Sequence, residues 1–211
     1  CATSLALGDA DGDGLLDLYV ANYRTTTIRS TGFALLNFGG KKAIRPEDRD
    51  SLELTPEGKV LEHGEPHVFY INQGGGQFAR VSWTAGGFLD EDGLPLKNAP
   101  RDWGLSVMFR DINDDGLPDV YVCNDFHSPD RIWLNTGQGS FRAAPRLMLR
   151  HTSTFSMSVD FADLDRDGRQ DFFLADMLDP RRQTRMAQFS GTEEQLARVR
   201  HNVGLSGQIG L

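Results

Sequence analysis

The sequence predicts an all-β protein built from four-stranded antiparallel units the size of β-propeller blades. Three observations predict it. An acidic loop of fixed spacing occurs three times along the 211 residues, and each copy runs directly into a β-branched and aromatic segment. A glycine-rich turn ending in phenylalanine occurs twice. Larger apolar residues recur at alternate positions ahead of each loop, the period expected of a strand with one buried face.

The loops are Asp9-Ala-Asp11-Gly-Asp13-Gly14-Leu15-Leu-Asp17, Asp111-Ile-Asn113-Asp-Asp115-Gly116-Leu117-Pro-Asp119 and Asp163-Leu-Asp165-Arg-Asp167-Gly168-Arg169-Gln-Asp171. All three read D-x-[DN]-x-D-G-x-x-D. Side-chain oxygens at positions 1, 3 and 5 suit one side of a hard cation such as Ca²⁺. The glycine at position 6 permits a sharp turn, and the carbonyl of position 7 (Leu15, Leu117, Arg169) is expected to point inward. The carboxylate at position 9 then closes the shell, so up to three Ca²⁺ are expected. An EF-hand shares the first six positions but needs a bidentate Glu at position 12 and flanking helices. Here position 12 is Val20, Val122 or Leu174, inside the strand-like runs Leu18–Val20, Val120–Val122 and Phe172–Leu174. A dockerin-like repeat fails for the same reason.

The repeat extends past the loop. A serine stands five residues before each first aspartate (Ser4, Ser106, Ser158), followed by Leu5/Leu7, Val107/Phe109 and Val159/Phe161. Each strand after the loop ends in Asn22, Asn124 or Asp176. Next come Tyr70-Ile-Asn72-Gln-Gly74-Gly-Gly76-Gln-Phe78 and Trp133-Leu-Asn135-Thr-Gly137-Gln-Gly139-Ser-Phe141, each a strand, a hairpin turn and a returning strand. One unit is therefore strand, acidic loop, strand, connection, strand, turn, strand. The second and third loops start 52 residues apart and the first and second 102 apart, which places an insertion at about 24–67. The units are expected at about 1–88, 102–145 and 153–211, the last incomplete.

These residues resemble the FG-GAP, or VCBS, repeats of integrin α-subunit propellers and many bacterial surface proteins. The resemblance rests on the D-x-[DN]-x-D-G-x-x-D loops, the Asn-x-Gly-x-Gly-x-Phe turns and the Trp103-Gly104 step before the second unit. It covers about 1–23 and 68–178. The subgroup it resembles most comprises bacterial proteins similar to cartilage acidic protein, which often carry an ASPIC/UnbV domain; no such domain is visible. The resemblance implies blades with calcium in a loop joining two strands, and a secreted, periplasmic or cell-surface location. It does not imply one activity, because fold-level likeness is a weak warrant for function. Two complete units and the start of a third cannot close a propeller, so the chain is expected to be part of a larger one. It opens at Cys1 already inside a repeat, as an excised or processed piece would.

Inside the insertion, Leu52-Glu-Leu-Thr-Pro56-Glu-Gly58-Lys-Val60 predicts a hairpin with its turn at Pro56 and Gly58. Phe88-Leu-Asp90-Glu-Asp92-Gly93-Leu predicts another hairpin rather than a fourth metal loop. Arg181, Arg182 and Arg185 precede Thr192-Glu-Glu-Gln195, a capping box, and Leu196, Val199 and Val203 fall at helical spacing. A short helix is expected at about 190–203.

The net charge of −8 argues against nucleic acid, whose binding depends on Lys and Arg meeting phosphate. Twelve of the 30 acidic residues sit in the three loops, so three Ca²⁺ would bring the charge to about −2. No apolar run approaches the ~20 residues of a membrane-spanning helix. Cys1 and Cys123 do not make a disulfide framework; two unpaired cysteines are expected, with one bridge or lipidation of Cys1 left open. The histidines (His63, His67, His127, His151, His201) form no metalloprotease pattern, and no nucleophile elbow, P-loop or dinucleotide fingerprint occurs. His127 and Asp125 lie in a connection where a site could form, but a hydrogen-bonded loop histidine is the expectation.

The expected function is therefore a calcium-binding extracellular recognition or adhesion module, not an enzyme, with a protein or glycan ligand. The alternatives are the propeller scaffold of a polysaccharide-active enzyme and a structural spacer.

Overall fold

The computed structural model describes residues 1–137, 139–145, 147–149, 152–153, 155–177 and 181. The helix expected at 190–203 lies outside them, with Arg182, Arg185, His151 and His201.

Strand β1 (Ala2–Gly8) runs through the first acidic loop into β2 (Asp17–Asn22). The insertion then builds two small hairpins, β3 (Leu35–Phe38) with β4 (Lys41–Ile44) and β5 (Leu52–Leu54) with β6 (Val60–Glu62). A single helical turn at Ile28–Thr31 leads into the first hairpin, and a 3₁₀ turn at Pro46–Asp48 connects the two. The chain returns through β7 (Val68–Asn72) and β8 (Phe78–Arg80), which complete a four-stranded sheet in the order β1-β2-β7-β8.

After the short β9 (Phe88–Leu89), the second sheet comprises β10 (Gly104–Arg110), β11 (Asp119–Asn124), β12 (Arg131–Gly137) and β13 (Ser140–Ala143). Strand β9 adds parallel to the edge of β13, pairing Phe88 with Phe141. The third sheet has two described strands, β14 (Ser156–Ala162) and β15 (Asp171–Asp176). The fold is all-β with antiparallel sheets, as expected, and the three sheets do not close into a ring among the described residues.

The recurring serine marks a recurring irregularity. The β1–β2 register shifts between Ala2 and Ser4, β10–β11 between Gly104 and Ser106, and β14–β15 between Ser156 and Ser158. A bulge at the same point of each repeat increases local twist, which re-aims the strand that follows. The first serine also reaches across to the second sheet, since Ser4 Oγ accepts a hydrogen bond from the Val107 amide at 3.3 Å.

The sheets stack face to face, which explains β11. All six of its residues are buried. Val120 and Val122 face a cluster with Tyr19, Ala21, Phe69, Trp83, Phe88, Trp133 and Phe141, between the first and second sheets. Tyr121 and Cys123 face the opposite way, into a cluster with Ile132, Leu134, Val159 and Phe161, against the third sheet. Strand β2 buries only its Asp17, Tyr19 and Ala21 face, so its pattern alternates. Strand alternation thus records how many neighbours a sheet has. Cys123 is buried and free in its strand, and Cys1 is exposed and free, so the two do not pair.

The hairpin expected at Pro56 and Gly58 is present: the Gly58 amide donates to Thr55 O at 2.8 Å and its φ is 79°. The hairpin around Asp90 to Gly93 also forms, with Asp90 Oδ1 accepting from the Leu94 amide at 2.8 Å. The β3–β4 hairpin was not anticipated. Its two-residue turn is Gly39-Gly40, with φ values of 57° and 86°, a primed turn that only glycine adopts without strain.

Candidate metal centres

Each acidic loop bridges two residues that are already paired. Gly8 faces Asp17, Arg110 faces Asp119 and Ala162 faces Asp171. The eight residues between are folded by their own side chains. Position 1 accepts from the amide of the position-6 glycine: Asp9 from Gly14 at 2.9 Å, Asp111 from Gly116 at 2.8 Å and Asp163 from Gly168 at 3.0 Å. Those glycines have φ values of 85°, 85° and 88°, where a side chain would be strained. Position 5 accepts from the amide of position 7 in every copy: Asp13 from Leu15, Asp115 from Leu117 and Asp167 from Arg169.

Position 4 is also left-handed, at Gly12 (φ 77°), Asp114 (φ 59°) and Arg166 (φ 65°). The sequence reading missed this because only the first copy has glycine there. An L-residue in that region costs about 1–2 kcal/mol, so the second and third loops carry a strain that the first does not.

The ninth position has a second task. Asp17 is fully buried and accepts from the Ala10 amide on Oδ2 and the Asn72 amide on Oδ1, both at 2.8 Å. Asp119, equally buried, accepts from Ile112 at 2.9 Å and from Asn135 at 2.7 Å. In the third loop Asp171 accepts from Leu164 at 3.0 Å. In the first two loops one carboxylate therefore fastens the start of its own loop to the strand paired beside its own. Burial raises the pKa of Asp17 and of Asp119; the backbone amides oppose this, and the neighbouring loop carboxylates reinforce it.

The asparagines of the glycine-rich turns lock onto the same points. Asn72 donates its amide to Leu16 O at 3.0 Å and accepts from Gly74. Asn135 donates to Pro118 O at 3.1 Å and across the sheet boundary to Ala10 O at 2.8 Å, and accepts from Gly137. The two repeated motifs are parts of one assembly, a link the sequence shows only as a constant order.

The loops fit a hard cation to different degrees. Oxygens of Asp9, Asp11 and Asp17 all lie within 4.8 Å of one another, as do those of Asp163, Asp165 and Asp171. Unit charges at that spacing repel by about 1 kcal/mol per pair in water and about 3–4 kcal/mol at an effective dielectric constant of 20. A divalent cation would reverse the sign of that energy. Asp13 and Asp167 are not in these trios; each is committed to the amide two residues on. In the middle loop Asn113 replaces a carboxylate. Its side-chain amide donates to Asp115 Oδ2 at 2.9 Å, and no carboxylate trio converges there among the described residues.

Two further groupings were not foreseen. Asp130 is buried where the second and third sheets meet, accepting from Ser156 Oγ at 2.6 Å, Tyr121 Oη at 2.9 Å and the Asn124 amide at 2.9 Å. Burial raises its pKa to about 6, with these donors opposing the shift. His127, singled out in the sequence, lines a cleft between the insertion and the second sheet, its ring edge-on to His63 with centroids 5.9 Å apart. Asp125 is buried beside it and accepts from Tyr23 Oη at 3.3 Å.

A family profile described as an FG-GAP-like repeat matches residues 111–174, from the first aspartate of the middle loop to the strand after the third. No curated protein matches the chain.

Proposed function

We propose that this chain, which carries an FG-GAP-like repeat over residues 111–174, is a β-propeller-like, calcium-binding recognition or adhesion module working outside the cytosol. The observation that carries the proposal is the convergence of Asp9, Asp11 and Asp17, and of Asp163, Asp165 and Asp171, each within 4.8 Å. Carboxylates and carbonyls are the ligands Ca²⁺ prefers. In the first loop Asp9, Asp11 and Asp17 would hold the ion, joined by Asp13 and the carbonyl of Leu15. In the middle loop the set is Asp111, Asn113, Asp115, Leu117 and Asp119, and in the third Asp163, Asp165, Asp167, Arg169 and Asp171. Bound there, Ca²⁺ neutralises charge at the point where two strands and the following hairpin are fastened.

A secreted, periplasmic or surface setting agrees with this chemistry, because extracellular modules work with dissociation constants of roughly 10⁻⁴–10⁻³ M. No helix among the described residues is long and apolar enough to cross a membrane. The ligand in this reading is a protein or a glycan. The test is thermal unfolding in EGTA and in millimolar Ca²⁺. A melting temperature that rises by several degrees with Ca²⁺ supports the proposal, and one that EGTA leaves unchanged removes it.

One observation favours a second reading, the scaffold of a polysaccharide-active enzyme. The cleft that holds His63 and His127 is also lined by Asp50, Glu53 and Glu57. Release of reducing ends from a polysaccharide panel would support that reading; binding without turnover supports the module.

A further inference from the structure

The cleft has a volume of about 1250 Å³ and lies between the β5–β6 hairpin and the connection from β11 to β12. Pockets for single small molecules are typically 300–1,000 Å³, so this one suits an extended ligand. We propose that it is the ligand site of the module and that it takes an uncharged oligosaccharide, an inference that rests on the recognition reading above.

The lining chemistry selects the class. Charges of both signs are present, and two of the acids are already paired. Glu53 Oε2 lies 2.9 Å from His63 Nε2 and 3.9 Å from Arg101, and Asp102 forms a two-point ion pair with Arg131. An anionic ligand would meet Glu53 and Asp50, and a cationic one would meet Arg101 and Arg131. A sugar hydroxyl donates to a carboxylate while accepting from a guanidinium or imidazole, so neighbouring hydroxyls can use such a pair without breaking charge balance. The apolar lining is mainly the rings of Pro56, Pro66, Pro100 and Pro129. These carry no N–H and present apolar C–H surface that can lie against the C–H faces of sugars. No Phe, Tyr or Trp lines the cleft among the described residues, which leaves no aromatic pocket for a peptide anchor.

The walls are fixed before any ligand arrives. Arg24 donates to His63 O at 2.9 Å and Arg101 donates to Arg49 O at 3.0 Å. Trp103 Nε1 donates to Glu62 O at 3.4 Å. A Cβ at Gly64 would overlap the Asp102 carbonyl, so the insertion approaches the second sheet as closely as its backbone allows. Behind the other wall Phe126, the residue before His127, has a φ of 58° and packs on Trp103 with centroids 5.2 Å apart. A bulky residue held in the left-handed region costs of order 1–3 kcal/mol and tends to occur at ligand sites. Walls fixed in advance reduce the ordering cost that otherwise cancels weak polar contacts.

The experiment is calorimetric titration of the calcium-loaded full chain with cellohexaose, xylohexaose and mannohexaose, and with a heparin hexasaccharide and a random peptide library as charged and peptidic competitors. At least one neutral hexaose is expected to bind. Glu53→Gln and Arg101→Lys should each weaken it at least tenfold while leaving the melting temperature in Ca²⁺ within 2 °C of wild type. Phe38→Ser, on the exposed β3–β4 hairpin, should leave binding unchanged. Neutral-sugar binding that ignores both cleft variants overturns the assignment of the cleft and leaves the recognition reading standing. Preference for the heparin fragment or for peptides overturns the ligand class. No binding of any probe to the folded, calcium-loaded chain overturns the inference and counts against the recognition reading itself.

Discussion

Replacing Asp119 by asparagine separates the two tasks of the ninth loop position. The carboxylate is fully buried and uses one oxygen for the Ile112 amide and the other for the Asn135 amide. Asparagine keeps one acceptor and turns an NH₂ group towards the other amide, so one charged hydrogen bond is lost and one buried N–H is stranded. Hydrogen bonds to charged groups contribute about 1.5–3 kcal/mol, and a stranded buried donor costs about 1–3 kcal/mol. Removing a buried charge that Asp115 and Asp111 repel returns part of this, leaving a net loss of about 2–4 kcal/mol. At about 2–4 °C per kcal/mol for a chain of this size, the melting temperature should fall by about 4–16 °C. The assay is thermal unfolding in EGTA, where ion binding plays no part. Asp111→Asn is the comparison. Its loop is open to water, so its metal-free stability should stay within about 0.5 kcal/mol of wild type, while only the middle loop's share of the Ca²⁺ response is lost and the first and third loops still respond. If Asp119→Asn melts with wild type in EGTA, or if both variants fall equally, the clamp role assigned to the ninth position is wrong.

Arg166→Gly should stabilise the metal-free chain by about 0.5–1 kcal/mol, since the left-handed φ costs more than the added backbone entropy of glycine; urea unfolding checks this. Two buried groups should oppose each other in acid. Burial pulls the pKa of His67 down to about 4, so the unfolded chain binds that proton first and stability is lost as pH falls below about 6.5. The raised pKa of Asp130, about 6, acts in reverse, because the folded chain takes up the proton first and gains stability as pH falls from about 6 towards 3.8. Between pH 7 and 4.5, urea unfolding should therefore show His67→Gln losing about 2–3 kcal/mol less than wild type, and Asp130→Asn about 2 kcal/mol more. Calcium titration of single-loop variants should rank the Asp9–Asp17 loop tightest and the Asp163–Asp171 loop weaker, because Arg166 and Arg169 lie among the acids of the third; equal affinities would refute the ranking.

The sequence was most informative where the physics is local. Spacing of Asp9, Asp11, Asp13 and Asp17, repeated twice more, located all three loops, because a turn built by side chains bonding to nearby amides needs only a short stretch of chain. The strands on either side were legible as strands, although alternation named the wrong face of β1, where Leu5 and Leu7 are exposed and Ser4, Ala6 and Gly8 turn inward. The hairpin at Pro56 and Gly58 was legible from its turn residues. The Gly39-Gly40 hairpin could have been read from the same signal. Position 4 could not, since Asp114 and Arg166 give no hint that they must adopt a glycine-like φ.

Whatever joins distant segments was decided by tertiary structure. Nothing local says that β11 is buried on both faces or that Phe88 pairs with Phe141. Neither could the pattern show that Asn135 reaches Ala10, 125 residues away, or that Asp17 spends both oxygens on backbone amides. The cleft is the extreme case, with one wall from the insertion and the other from a connection over 60 residues later. Periodicity and spacing report what a residue does to its neighbours in the chain. Stacking one sheet on another sets which oxygens are buried, which amides they must satisfy and where two walls meet, and that placement exists only once the sheets have packed.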